Sequence, residues 1–456
     1  MPPHPRFLSQ EDCQALAKRV ADFALGGGET GIMLVSNWMG TLRWAQNQVS
    51  NSSEVRTNLA FVNRMIRGAT AGAFVNQIDD AALTAAVRRA ERELQLKQEQ
   101  PESARKHEYT VEPYLQPKIW SDATYNLSAA DRVKTARALT HSAVAAGVMS
   151  AGNIEVAAIG QAAIDSTGRS LYYPYTQAQC TITVRDEQAG GSGWAGVDHN
   201  DWRRIDGHKL AEIALDKCLR SRHPVPMEPG RYITILEPQA VCDFIAPMLD
   251  RVMDRGMAEG VPGMGPFSRH SGTSRIGERV MDERITISAD PMDPDLGFPP
   301  FAPFSFTEVY HPVTWVEQGV LKQLAYSREY AIRNLGLNTG LPNSGAFRMS
   351  GGDTSLEEMI ATTRRGVLVT RFSNVELLDI QSLMQTGYTR DGVWLIENGK
   401  ISKPLKNFRF RESPLFAFNN LEQLGPAQRV FRPQAPAITP YAKVRDFSFT
   451  ALVNVV

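Results

Sequence analysis

Hydrophobic and polar positions change period several times along the chain. Val55, Thr57, Leu59 and Phe61 alternate with polar or small neighbours, and that period of two predicts a strand. From about Asp80 the period lengthens. Leu83, Val87, Ala90 and Leu94 fall on one face, with arginines and glutamates opposite, which predicts an amphipathic helix. A second helix opens at Ser128, where Ser128 and Asp131 are spaced as a capping box. "IEVAAIGQAAIDS" and "AQCTITVRDE" read as strands, "AGGSGWAG" as a flexible loop, and "GHKLAEIALDKCLRS" as a short helix. Beyond it come a strand, "RYITIL", a helix at "QAVCDFIAPMLDRVM" and a glycine-rich stretch over 256–280.

The last third reads as strands and hairpins. "WVEQGVLKQLAYS" and "WLIENGKISKPLKN" each show an apolar strand, a Glu-x-Gly turn and a second strand. One helix interrupts them at "SLEEMIATTRRG". Ser355 and Glu358 form its capping box, and Gly366 suits its C-terminal cap. Strands and helices alternate without a strict βαβ rhythm. This predicts an α+β fold: N-terminal α/β segments followed by a strand-rich C-terminal domain with a few helices. Two breaks divide it. "KQEQPESARKHEYTVEP" is polar and contains proline, and "RHPVPMEPG" has three prolines. The expected domains are 1–110 (α/β), 111–222 (α+β) and 223–456 (strand-rich). At 456 residues the chain exceeds one hydrophobic core, which agrees with several domains.

Composition narrows the function. Forty-nine basic and 49 acidic residues cancel, so no global field draws the chain to nucleic acid or an anionic membrane. No apolar run reaches the length of a membrane span, and the N-terminus has no signal-like apolar core. Cys13, Cys180, Cys218 and Cys242 form no CxxC pair, which suits reduced thiols and a cytoplasmic location. Chemistry is sparse. No two of the eight histidines sit at i, i+4. His199 and His208, with Asp201 and Asp206 between them, match no ligand spacing and read as a solvated loop and helix start. Neither a G-x-S-x-G elbow nor a phosphate-binding glycine loop is present, and Cys242 lies on an apolar helix where it packs.

Several ordered segments nonetheless resemble one family, the TldD/PmbA (TldD/TldE) metalloproteases, over nearly the whole chain. They are "TNLAFVNRMIRGATAGAF", "MEPGRYITILEPQAV", "SRIGERV", "VTWVEQGVLKQLAYSREYAIRNLGLNTG", "SLEEMIATTRRGVLVT" and "GVWLIENGKISKPLKN". The resemblance assigns residues 223–456 to a TldD/PmbA-type domain. TldD-type chains carry HExxxH on the helix after the "PG…L-x-P" strand, and a zinc-binding Cys near the C-terminus. TldE/PmbA-type chains lack both and pair with a TldD-type chain. Aligned without gaps from Leu236, the HExxxH positions fall on "APMLDR": Ala246 and Arg251 replace the histidines and Pro247 the glutamate. No cysteine follows Cys242. Proline in a helix interior costs about 3 kcal/mol and kinks the helix, which adds to the loss of ligands.

The resemblance implies a TldE/PmbA-like subunit with no catalytic group and no metal of its own, the zinc being expected in a TldD-type partner. The implied substrates are unfolded or small peptides such as natural-product leader peptides. The partner is a TldD-type HExxxH-bearing subunit or a second copy of the chain, with no nucleic acid and no membrane. Two rival readings are a free-standing homodimeric peptide-binding protein and a hydrolase whose metal ligands include His270 or His311. Glu317, Glu397 and His311 are the candidate residues of a cleft or interface, against the simpler reading of the two glutamates as turn residues.

Overall fold

After one helix, three antiparallel strands follow in succession, and three more complete their sheet. A computed structural model describes residues 6–97 and 113–454; most of the expected linker around residue 105 lies outside the described residues. The first sheet contains β1 (Glu29–Ala45), β2 (Gln48–Ile66), β3 (Ala69–Val75), β4 (Met149–Asp165), β5 (Ser170–Asp186) and β6 (Gly191–His199), in the order β3-β2-β1-β4-β5-β6. β1 pairs with β4, so the segments before and after the linker share one sheet.

One face of this sheet is apolar and carries helices. Ile32, Leu34, Trp38 and Leu42 on β1, and Ile154, Val156 and Ala158 on β4, are buried beneath α1 (Gln10–Asp22), α2 (Asp80–Leu96), α3 (Ala129–Ala145) and α4 (Gly207–Arg220). The expected faces and caps hold: Leu83, Val87 and Ala90 are buried, and Ser128 and Asp131 form a reciprocal capping box. Side chains on the other face alternate with these, and on β4 they include Asn153, Glu155 and Gln161.

The expected loop "AGGSGWAG" is instead mostly strand β6. Its glycines serve close approach rather than flexibility. α4 lies so near that a Cβ at Gly193 would stand 2.5 Å from the Cys218 amide nitrogen and closer still to the Ala214 carbonyl. The six-stranded sheet could not end there without them.

The second sheet is mixed and eleven-stranded. Its members are β7 (Gly230–Leu236), β8 (Ile287–Ala289), β9 (Val313–Glu317), β10 (Val320–Leu321), β11 (Phe347–Met349), β12 (Arg365–Asp379), β13 (Met384–Glu397), β14 (Lys400–Pro404), β15 (Phe408–Glu412), β16 (Leu421–Val430) and β17 (Ala437–Leu452). Its path runs β10-β9-β8-β11-β17-β15-β13-β12-β7, and β17 also pairs with β7, so five strands close on themselves. The helix α5 (Pro238–Arg251) packs into this core. Phe244 meets Phe372, Phe410, Phe418 and Phe447 with ring centroids 5.5–6.1 Å apart. The fold is α+β, as the periodicities predict.

Gly366 corrects a second expectation. The helix at Leu356–Ala361 ends on Thr362, and Gly366 is already in β12, opposite Ile233 of β7. A Cβ there would come within 2.7 Å of the Ile233 carbonyl, so the glycine permits strand pairing rather than capping a helix.

Candidate functional site

The helix α5 is where the resemblance places a zinc motif. Val241, Phe244, Ile245, Met248 and Val252 recur at helical spacing as one apolar stripe and are all buried, and Ala240, Cys242, Ala246 and Leu249 are buried too. Proline at 247 has no N–H for the Asp243 carbonyl, yet the helix runs on to Arg251, so the expected disruption does not end it. Ala246 faces the core and Arg251 faces solvent. A methyl group, a pyrrolidine ring and a guanidinium offer zinc no lone pair. Among the described residues no three His, Cys, Asp or Glu side chains gather as a metal site.

Asp243, one turn before Pro247, accepts hydrogen bonds from Gln239 Nε2 (2.8 Å) and the Phe372 N–H (2.9 Å). Burial raises its pKa to about 6, although Arg371 and the two hydrogen bonds oppose this. At the C-terminal end Asp250 pairs with Arg432 at 2.6 Å. Arg432 also donates to the carbonyls of Gly345 and Ala435, and its backbone N–H reaches Asp198 Oδ1 at 2.6 Å.

Asp198 leads from this helix to a cleft. It is the penultimate residue of β6 and accepts Arg429 Nη2 at 2.9 Å, while Arg429 Nε donates to its carbonyl at 2.6 Å. The two arginines therefore clamp the first sheet to the C-terminal half. Beside the clamp lies a cavity of about 230 Å³ between the helix-free face of β4–β5 and the segments 297–303 and 433–436. Glu155, Gln161, Tyr175, Gln177 and Gln179 project from the sheet. Phe298, Phe301, Tyr310 and four prolines, Pro299, Pro303, Pro433 and Pro436, form the opposite wall. Gln161 Nε2 ties the sheet to the Phe301 carbonyl at 2.8 Å.

The electrostatics of the cleft follow from its enclosure. Burial raises the Glu155 pKa, with Arg43 and a hydrogen bond from Gln179 opposing it. His199 moves the other way, to about 4, because burial, Arg429 and Arg204 all disfavour its charged form. Its Nδ1 accepts the Asp201 N–H at 2.9 Å, which leaves the ring proton on Nε2. The imidazole is neutral near pH 7. His199 thus belongs to the cleft, whereas Asp201 caps the one-turn helix Trp202–Arg204 and Asp206 caps α4.

The candidate residues named from sequence lie elsewhere. Glu317 ends β9 and pairs with Lys322 at 3.1 Å; Glu397 ends β13 and accepts from Ser402 at 2.7 Å. Both precede two-residue turns in which both residues have positive φ: Gln318 and Gly319 (48° and 75°), Asn398 and Gly399 (50° and 76°). The sheet path does not bring the two hairpins together. His311 follows the cleft residue Tyr310 and, like both glutamates, is not among the residues lining the cavity. His270 stands in the glycine-rich stretch beside Gly263. The sequence signal for the cleft was a glutamate inside the apolar run "IEVAAIGQAAID", opposite the glutamines of "YTQAQC".

Comparison with known proteins accounts for this architecture. Residues 229–451 match the PmbA/TldA metallopeptidase C-terminal domain. Among curated protein sequences none matches. Three solved structures share the fold over 97% of this chain, each at 15% identity. They are a candidate modulator of DNA gyrase from Bacteroides thetaiotaomicron (TM-score 0.79, 100% of that chain covered), TldE from Thermococcus kodakarensis (0.75, 100%) and a candidate modulator of a DNA gyrase from Thermotoga maritima (0.74, 99%). The chain thus carries the C-terminal domain of the PmbA/TldA metallopeptidase family over residues 229–451 and shares the fold of these three structures through both of its halves.

Proposed function

We propose that this chain is the non-metal, TldE/PmbA-like subunit of a peptidase pair whose zinc resides in a TldD-type partner. The observation that carries the reading is α5. It keeps its place in the core while Ala246, Pro247 and Arg251 stand where the ligand-bearing motif aligns. Zinc hydrolases need three protein ligands and a bound water whose pKa the metal lowers to about 7, and these positions supply none of the three. The substrates in this reading are unfolded or small peptides, leader peptides among them. The partner is an HExxxH-bearing chain, with self-association as the fallback. The place of action is the cytoplasm, in keeping with four buried, unpaired cysteines. No described helix is long and apolar enough to cross a membrane.

The test is reconstitution. Alone, the purified chain is expected to hold no stoichiometric zinc and to cut no unfolded peptide in a chelator-sensitive way. Mixed with an HExxxH-bearing TldD-type chain, it is expected to co-elute and to raise that partner's peptidase activity. Stoichiometric zinc on three side chains of this protein, with chelator-sensitive cleavage by it alone, would overturn the reading in favour of the hydrolase alternative.

A further inference from the structure

We infer that the cleft between the β4–β5 face and the proline-rich wall is a binding site for a primary ammonium group, with Glu155 as its counter-charge. This is a property of the chain by itself and stands apart from pairing with a metal-bearing partner.

The inventory of donors and acceptors carries the inference. Glu155 presents a carboxyl to the cavity, and Gln179 lies directly across the strand pair from it. Gln179 donates toward Glu155, while its own Oε1 is buried with no hydrogen-bond partner. Leaving a buried acceptor unmade costs about 1–3 kcal/mol, so Gln179 Oε1 on the cavity wall marks a place that a donor completes. The opposite wall adds none from its backbone at Pro299, Pro303, Pro433 and Pro436, since proline has no N–H.

Charge gives the same answer. Arg429 is already met by Asp198, and His199 is held neutral, so neither competes as a cation inside the cavity. Glu155 feels the Arg43 cation, but no ion pair within 4 Å joins it to a described residue, and burial makes its charge costly. A ligand ammonium brings three donors and the balancing charge. The rings of Tyr175 and Tyr310 line the same space and suit a cation. At about 230 Å³ the cavity is smaller than the roughly 300–1,000 Å³ of sites for drug-sized ligands. It accommodates the end of a chain: a peptide amino terminus or the tip of a lysine.

Calorimetry on the full chain with three probes tests this. The probes are tetra-alanine amide with a free amine, its N-acetyl form, and an N-acetyl alanine peptide carrying one lysine. Binding of the free-amine probe, with loss on acetylation, supports the site and names the amino terminus as the source. Binding of the acetylated lysine peptide supports it and names the side chain. Failure of both amines, or equal binding of all three probes, overturns it. Glu155→Gln keeps the shape and is expected to weaken amine binding about ten- to a hundredfold. The comparison of free and acetylated probes needs no variant, so it decides the matter even if that substitution fails to fold. Failure to pair with a TldD-type chain would leave this result untouched.

Discussion

Asp243 shows how one carboxyl reports on the core of this fold. Its pKa rises from 3.8 to about 6 because burial outweighs the help of Arg371, Gln239 and the Phe372 N–H. Between these two values the folded chain binds the proton and the unfolded chain does not, so stability falls as pH rises from about 4 to about 6. Two units correspond to at most about 3 kcal/mol, and the residue retains some surface, so about 1–2 kcal/mol is expected. Asp243→Asn removes the ionisation. The difference between wild-type and variant stability, followed by denaturant melts across that range, should change by this amount; a flat difference would show that the carboxyl is solvated. Gly193 gives a second residue-scale prediction. A methyl group there meets the backbone of α4, which cannot yield as a side chain tip can. Gly193→Ala is expected to cost about 1–3 kcal/mol and to lower the melting temperature by several degrees, whereas Gly168→Ala, with open space around it, should act only through its positive φ.

At the scale of elements, local rules were readable from the chain and long-range ones were not. Capping boxes at Ser128 and Ser355 and the stripes of α2 and α5 involve residues three or four apart, so their chemistry is written in adjacent letters. The glycines of β6 and Gly366 escape such local rules because their reason is the backbone of another element, α4 or β7. The cleft was hidden for the same cause: Gln161 meets Phe301 across 140 residues, and Asp198 meets Arg429 across 231. α5 carries the prediction proper to this scale. HExxxH itself sets its two histidines five apart, so what this helix lacks beyond them is the glutamate, replaced by Pro247, and a third ligand, since no cysteine follows Cys242. Ala246 is 8% exposed in the core wall, while Arg251 is in solvent. Ala246→His with Arg251→His is therefore expected to create no tight zinc site, and metal titration monitored by mass spectrometry of the native protein checks it. Zinc held by those two histidines would mean the helix end can reshape around metal.

For the whole molecule, the question is what surrounds its open edges. β3 pairs with β2 only over Ala60–Ile66, which leaves the stretch 48–59 joined to β1 alone and largely exposed on both faces, with Val49, Val55 and Leu59 each more than 40% exposed. Unpaired, partly apolar strand edges invite pairing with another chain unless something covers them. A lasting pair buries on the order of 1,200 Å² or more. Since basic and acidic residues balance at 49 each, no net charge repels a second copy or steers a partner. Apolar burial should dominate, and surface ion pairs, screened within about 10 Å at 0.1 M salt, should matter little. Light scattering at micromolar protein is expected to give the mass of a pair, heteromeric when a TldD-type chain is supplied and homomeric otherwise. The mass should hold from about 0.1 M to 1 M salt. Lys substitutions at Val55 and Leu59 should weaken whichever pair uses this edge while leaving the melting temperature within a few degrees, because both side chains already stand in water. A monomer in every condition, with and without the partner, would defeat the subunit reading and leave a free-standing binder whose cleft works alone.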